Sequence, residues 1–140
     1  MMTRRLRILG ALVLFLVGLT GLDSPSAAEV AGPPVRVINV ERGSISLKTL
    51  EANRGDTVVW HNVIVPPTFM NVIFDRGREV QRASDSPTRF QSVADGTYRT
   101  GPMSTAETAS LRFHTAGTYR YRVMTIMDTE VEMEGTIVVK

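Results

Sequence analysis

From Val35 to the end of the chain, apolar side chains recur at every second position, and no long stretch repeats near 3.6 residues. The clearest case is 117–123, where Tyr119, Tyr121 and Val123 share one face and Arg120 and Arg122 take the other. Just upstream, Ala109, Leu111 and Phe113 alternate with Ser110, Arg112 and His114. At the end, Val131, Met133, Ile137 and Val139 oppose Glu130, Glu132 and Glu134. Each is the pattern of a half-buried antiparallel strand. Further strands are expected at 36–40, 45–52, 57–63, 69–74 and 88–93. Turn signals separate them: Arg54-Gly55-Asp56, Pro66-Pro67, Gly77, Asp95-Gly96, Gly101-Pro102 and Ala116-Gly117. Seven to eight short strands of this kind make an all-β sandwich or barrel. The polar, weakly patterned segment 76–95 is expected to be a surface excursion carrying a short helix.

The first residues have a different character. Arg4, Arg5 and Arg7 precede a mostly apolar run from Ile8 to Leu22, and Ser24-Pro25-Ser26-Ala27-Ala28 follows. This is the form of an export signal cleaved after Ala28. The apolar run is shorter than the roughly 20 residues of a membrane-spanning helix, although an uncleaved anchor is the alternative. The expected organisation is a signal peptide, 1–28, and one domain, 29–140. The protein is then periplasmic or otherwise exported, with no membrane association after cleavage. The 16 basic and 14 acidic residues of the whole chain become 13 and 13 once Arg4, Arg5, Arg7 and Asp23 leave. A neutral domain offers no footprint for nucleic acid. Export permits disulfides, but the chain has no cysteine, so its stability rests on packing.

Three stretches together resemble the cupredoxin family of plastocyanin and azurin. They are Gly55-Asp56-Thr57-Val58-Val59-Trp60-His61-Asn62, then Asn71-Val72-Ile73-Phe74-Asp75, and then Gly117-Thr118-Tyr119-Arg120-Tyr121 running on to Met133-Glu134-Gly135-Thr136-Ile137-Val138-Val139. The resemblance covers nearly all of 35–140 and implies a Greek-key β-sandwich. It also implies where a metal would sit. At the family's four ligand positions stand Met70 for the first histidine, Val123 for the cysteine, Ile126 or Met127 for the second histidine, and Met133 for the axial methionine. A type 1 centre needs two imidazoles and a thiolate with a weak axial thioether. Only Met133 matches, so the sequence argues against a type 1 copper electron carrier.

Five methionines fall in the expected domain: Met70, Met103, Met124, Met127 and Met133. Four lie on the two loops that the resemblance assigns to the metal. Strand parity turns Met70 the same way as Val72 and Phe74, and Met133 the same way as Ile137. Converging thioethers make a soft, neutral site that selects Cu(I) over harder ions. On this reading Met70, Met127 and Met133 are ligands and Met124 is a fourth candidate. The other reading is equally physical: flexible methionines plug the cavity of a lost metal site. The two readings imply two functions. One is Cu(I) storage, delivery or tolerance, with a copper-donor or acceptor protein as partner. The other is a metal-free interaction module docking another envelope protein at the methionine loops or the acidic strand Glu130, Glu132 and Glu134.

His61 is a further candidate ligand, but alternation places it on the face opposite Trp60. His114 alternates outward with Arg112. Asp128, Glu130, Glu132 and Glu134 lie in a line, which suits a solvated face beside Arg120 and Arg122 better than a hard-cation site. Asn71 and Asn62 are expected to be structural. No cysteine nucleophile exists and neither histidine has a serine-plus-acid context, so no enzyme is expected.

Overall fold

The computed structural model describes residues 32–126 and 131–140. The expected signal peptide lies outside these residues, as do Met127, Asp128 and Glu130. In chain order the elements are β1 (Val35–Glu41), β2 (Ser44–Ile45), β3 (Thr49–Ala52), β4 (Thr57–Asn62), β5 (Phe69–Phe74), α1 (Gly77–Ala83), β6 (Ser84–Thr88), β7 (Phe90–Ser92), β8 (Tyr98–Thr100), β9 (Thr108–Phe113), β10 (Gly117–Ile126) and β11 (Val131–Val139). They form two sheets, ordered β2-β1-β4-β9-β6 and β3-β11-β10-β5-β8-β7. The pairs β1–β4 and β11–β3 are parallel; the other pairs are antiparallel.

The architecture is the all-β sandwich expected, and β5 spans the residues read as a strand. The described residues hold eleven strands where seven to eight were expected, and the surplus has two causes. The expected strand 45–52 divides between the sheets. Ser46 Oγ accepts the Asn39 N–H at 2.9 Å while the Ser46 N–H donates to the Asn39 carbonyl at 2.9 Å, which ties β2 to β1. The chain then crosses to run beside β11 as β3. The second cause is the excursion after β5, which holds α1 and the short strands β6, β7 and β8. In α1, Gly77, Val80 and Ala83 are buried at spacings of three, one face of a helix.

Between the sheets lies one apolar core. Trp60 meets Phe74, Phe90 and Tyr121 edge-on, with ring centroids 5.8, 5.4 and 5.4 Å away. Such pairs add about 0.5–1.5 kcal/mol beyond the area they bury. The Trp60 indole N–H and the Tyr121 hydroxyl are buried without a hydrogen-bond partner among the described residues. Burial pushes the Tyr121 hydroxyl up to about 12, with the nearby Trp60 indole pulling weakly the other way. Burial raises Tyr98 and Tyr119 as well. A raised pKa in the folded state stabilises fully below the unfolded value near 10, and that stability is lost as pH climbs through the folded value. Between pH 10 and 12 the Tyr121 contribution should fall by about 3 kcal/mol, from two pKa steps of 1.36 kcal/mol each. Phenolate absorbance followed against pH checks this: one tyrosine should ionise last, together with unfolding. A Tyr121→Phe variant that keeps the late step would assign it elsewhere.

Candidate metal centre

At one end of the sandwich, side chains from β5, β10, β11 and the loop after β8 turn inward together. The β10–β11 register sets Val123 opposite Met133 and Thr125 opposite Val131. The β10–β5 register sets Val123 opposite Val72 and Thr125 opposite Met70. An isolated antiparallel bridge then sets Met70 opposite Met103. Two rows therefore cross the inner face. One runs Met103, Met70, Thr125, Val131, and the next runs Val72, Val123, Met133.

Met70 and Met103 are fully buried and Met133 nearly so, all within the common core. Met70 and Met133 thus point inward, as their parity required. Two strand spacings and one same-face step separate them, which is about 12 Å between their Cα atoms. Val123, buried and apolar, lies between. Met103 is the residue that periodicity missed. It belongs to no strand, and its neighbours Gly101 and Pro102 read as a turn.

Two asparagines fix this end. Asn62 is fully buried at the end of β4. Its Nδ2 donates to the Thr68 carbonyl at 2.8 Å and the Met103 carbonyl at 3.0 Å, while its Oδ1 accepts the Ile64 N–H at 3.0 Å. One amide thereby holds the loop before β5 to the loop after β8. Thr105 adds to the clasp: its hydroxyl donates to the Ile64 carbonyl at 3.0 Å and accepts the Thr68 N–H at 3.2 Å. Oriented as its surroundings require, the Asn71 amide nitrogen donates to the carbonyls of Met70 at 3.1 Å and Gly101 at 3.2 Å. Both asparagines are structural, and both brace the backbone of a buried methionine.

The remaining candidates lie elsewhere. Met124 alternates with Val123 and so faces the outer side of the sheet, where its Sδ accepts a hydrogen bond from Arg122 Nη1 at 3.3 Å. It does not join Met70 and Met133. Ile126 is also outward, half exposed and opposite Phe69. His61 is on the outer face of β4, opposite Thr108 of β9 and Asn39 of β1, while its neighbours Trp60 and Asn62 are buried. Met127 and Glu130 fall outside the described residues. Glu132 and Glu134 are exposed on the outer face of β11. Arg122 Nη1 reaches Glu132 at 4.0 Å and Arg122 Nη2 reaches Asp75 at 3.0 Å, so a cation interrupts the acidic row. Among the described residues no three His, Cys, Asp or Glu side chains gather as a metal site. No helix among them is long and apolar enough to cross a membrane.

No protein-family model and no curated relative matches the sequence. Solved structures do. The chain is similar to a reduced Cu(I) form of an amicyanin variant at pH 4, with 26% identity over 81% of this chain and 88% of that one, at a TM-score of 0.53. It is similar to an oxidised amicyanin variant at 28% identity, over 81% and 89% of the two chains, with a TM-score of 0.53. A third, reduced variant gives 26% identity over 81% and 88%, again with a TM-score of 0.53.

Proposed function

We propose that this cupredoxin-like chain is an exported protein that binds Cu(I) through buried methionine thioethers, for copper storage, delivery or tolerance, and is no blue-copper electron carrier. A type 1 centre does not fit the residues present. The whole chain lacks cysteine, and buried Val123 stands at the position the family gives to the thiolate. The observation that carries the positive half is the inward burial of Met70 and Met133 at one end of the sandwich. Thioethers are neutral, so they can be kept in a dry core without the cost of burying a charge. They favour Cu(I) over harder ions. The ligand set of this proposal is Met70 and Met133, with Met127 from the loop between β10 and β11. Met124, with its outward side chain, is set apart from it. No catalytic role is proposed. The signal peptide of 1–28 and export from the cytoplasm belong to the same proposal.

The test is competition of the purified domain with a chromophoric Cu(I) chelator under anaerobic, reducing conditions, with Met70→Leu beside it. Leucine keeps the volume and apolarity and removes only the sulfur. One equivalent of Cu(I) should bind, and the variant should bind at least about tenfold more weakly. A wild-type domain that never competes would sink the proposal.

A second reading rests on a separate observation. Val65, Phe69 and Ile126 are 74%, 52% and 48% exposed near the methionine end, with Phe69 directly opposite Ile126. Apolar surface of this kind suits a protein partner. That partner would be a copper donor or acceptor if the chain binds metal, or another envelope protein if methionine only fills the core.

A further inference from the structure

We infer that Met103 joins this ligand set and that Met70 and Met103 form its most closely spaced pair. This rests on the proposed Cu(I) binding and moves its centre toward the loop after β8. The Met103 N–H donates to the Met70 carbonyl at 2.8 Å and the Met70 N–H to the Met103 carbonyl at 3.0 Å. Residues that exchange both bonds in an antiparallel pair have Cα atoms about 5.5 Å apart and side chains on the same face. Here that face is the core, where neither residue has any exposed surface. Met133 is about 12 Å from Met70 by strand spacing, with Val123 in between. Among the described residues, Met103 is thus the inward-facing methionine placed nearest to Met70.

The pair is also held in advance. Asn62 Nδ2 holds the Met103 carbonyl and Asn71 the Met70 carbonyl, so the backbone on both sides of the bridge is fixed before any ion arrives. A site braced in this way loses less on binding than one assembled from loose loops. A packing role alone asks only for volume at position 103. A ligand role asks for sulfur, and the two demands separate by experiment.

The experiment uses methionine labelled with 13C at the methyl group and titrates Ag(I), a redox-inert stand-in for Cu(I), into the domain. The methyl resonances of Met70 and Met103 should shift together at one equivalent, while that of outward Met124 stays. Cu(I) competition is run in parallel on Met103→Leu, which should bind at least about tenfold more weakly, because losing a ligand should exceed the 10-fold floor typical of losing an outer-shell partner. If the methyls of Met70 and Met133 move and that of Met103 does not, the Met103 inference is overturned while Cu(I) binding stands. If no methyl moves and the wild type does not compete for Cu(I), both fall. Unchanged unfolding by urea in Met103→Leu shows that any loss of affinity comes from the sulfur and not from the fold.

Discussion

Replacing Asn62 with aspartate is expected to destabilise the domain by at least about 3 kcal/mol at neutral pH, and by much less near pH 3. The Asn62 amide nitrogen donates to two carbonyls, those of Thr68 and Met103, in a site with no solvent exposure. A carboxylate there has no proton to donate, so one oxygen would face the two carbonyl oxygens across hydrogen-bond distance. Both carbonyls would lose a donor, and a charge would be buried without a partner. Desolvation and the facing carbonyls raise the folded pKa of the new group well above the ordinary value near 3.9. The folded state then keeps a proton that the unfolded chain releases. Stability is therefore retained below the unfolded pKa and lost as pH rises through the folded one. Urea unfolding at pH 7 and pH 3.5 reads the difference, with Asn62→Ala as the uncharged comparison. Equal losses for aspartate and alanine at both pH values would mean that the amide is not buried among carbonyls as described. The Met103 loop is tied through this same amide, so the Cu(I) binding proposed above should weaken even where the variant stays folded.

The alternation of apolar residues made the sandwich legible because most strands have one wet face and one dry face. Ala109, Leu111 and Phe113 are buried while Thr108, Ser110 and Arg112 are exposed or half-covered, and the sequence alternates with them. Strand β6 has no such signature. Its residues Ser84-Asp85-Ser86-Pro87-Thr88 are polar, and Ser86 has a positive φ of 50°. Backbone pairing with β9 holds it, and Arg112 on β9 adds a bidentate ion pair to Asp85, at 2.7 and 3.0 Å. Neither partner is marked by periodicity. Met103 was hidden for a related reason. A single bridge fixes it to Met70, and one pair has no period to detect. Met124 shows the converse. Its place near the segment that the family resemblance assigns to a metal makes it a candidate, whereas parity with Arg122 places it outside, where its sulfur accepts the Arg122 hydrogen bond. The segment 45–52 looked continuous because composition does not record a change of sheet. The Ser46 hydrogen bonds that end β2 can be seen only in three dimensions.

Gly77→Ala should be among the most damaging single methyl groups this domain can receive. Gly77 opens α1 and is buried, with its N–H donating to the Gly96 carbonyl at 3.2 Å. A Cβ there would stand 2.4 Å from the Gly96 oxygen, 2.6 Å from the Thr97 carbonyl carbon and 2.6 Å from the Tyr98 nitrogen. All three are backbone atoms. No rotamer change relieves them. The turn they belong to is also stiff, because Gly96 N–H donates to the Val93 carbonyl at 3.0 Å and Thr97 N–H to Asp95 Oδ1 at 2.9 Å. The clash must therefore push α1 away from the β7–β8 hairpin, and Val80, Phe90 and Tyr98 would lose packing together. Overpacking of this kind costs about 3 kcal/mol at the upper end of the usual range. For a domain of this size that is a fall in Tm of roughly 10–20 °C. Gly101→Ala is the matched control, since its Cβ would meet nothing within 4 Å and its φ is not positive. It should leave Tm unchanged or raise it slightly by restricting the unfolded chain. Thermal unfolding of the two variants side by side decides the matter. A Gly77→Ala protein as stable as Gly101→Ala would mean that α1 does not lie against the Gly96 turn.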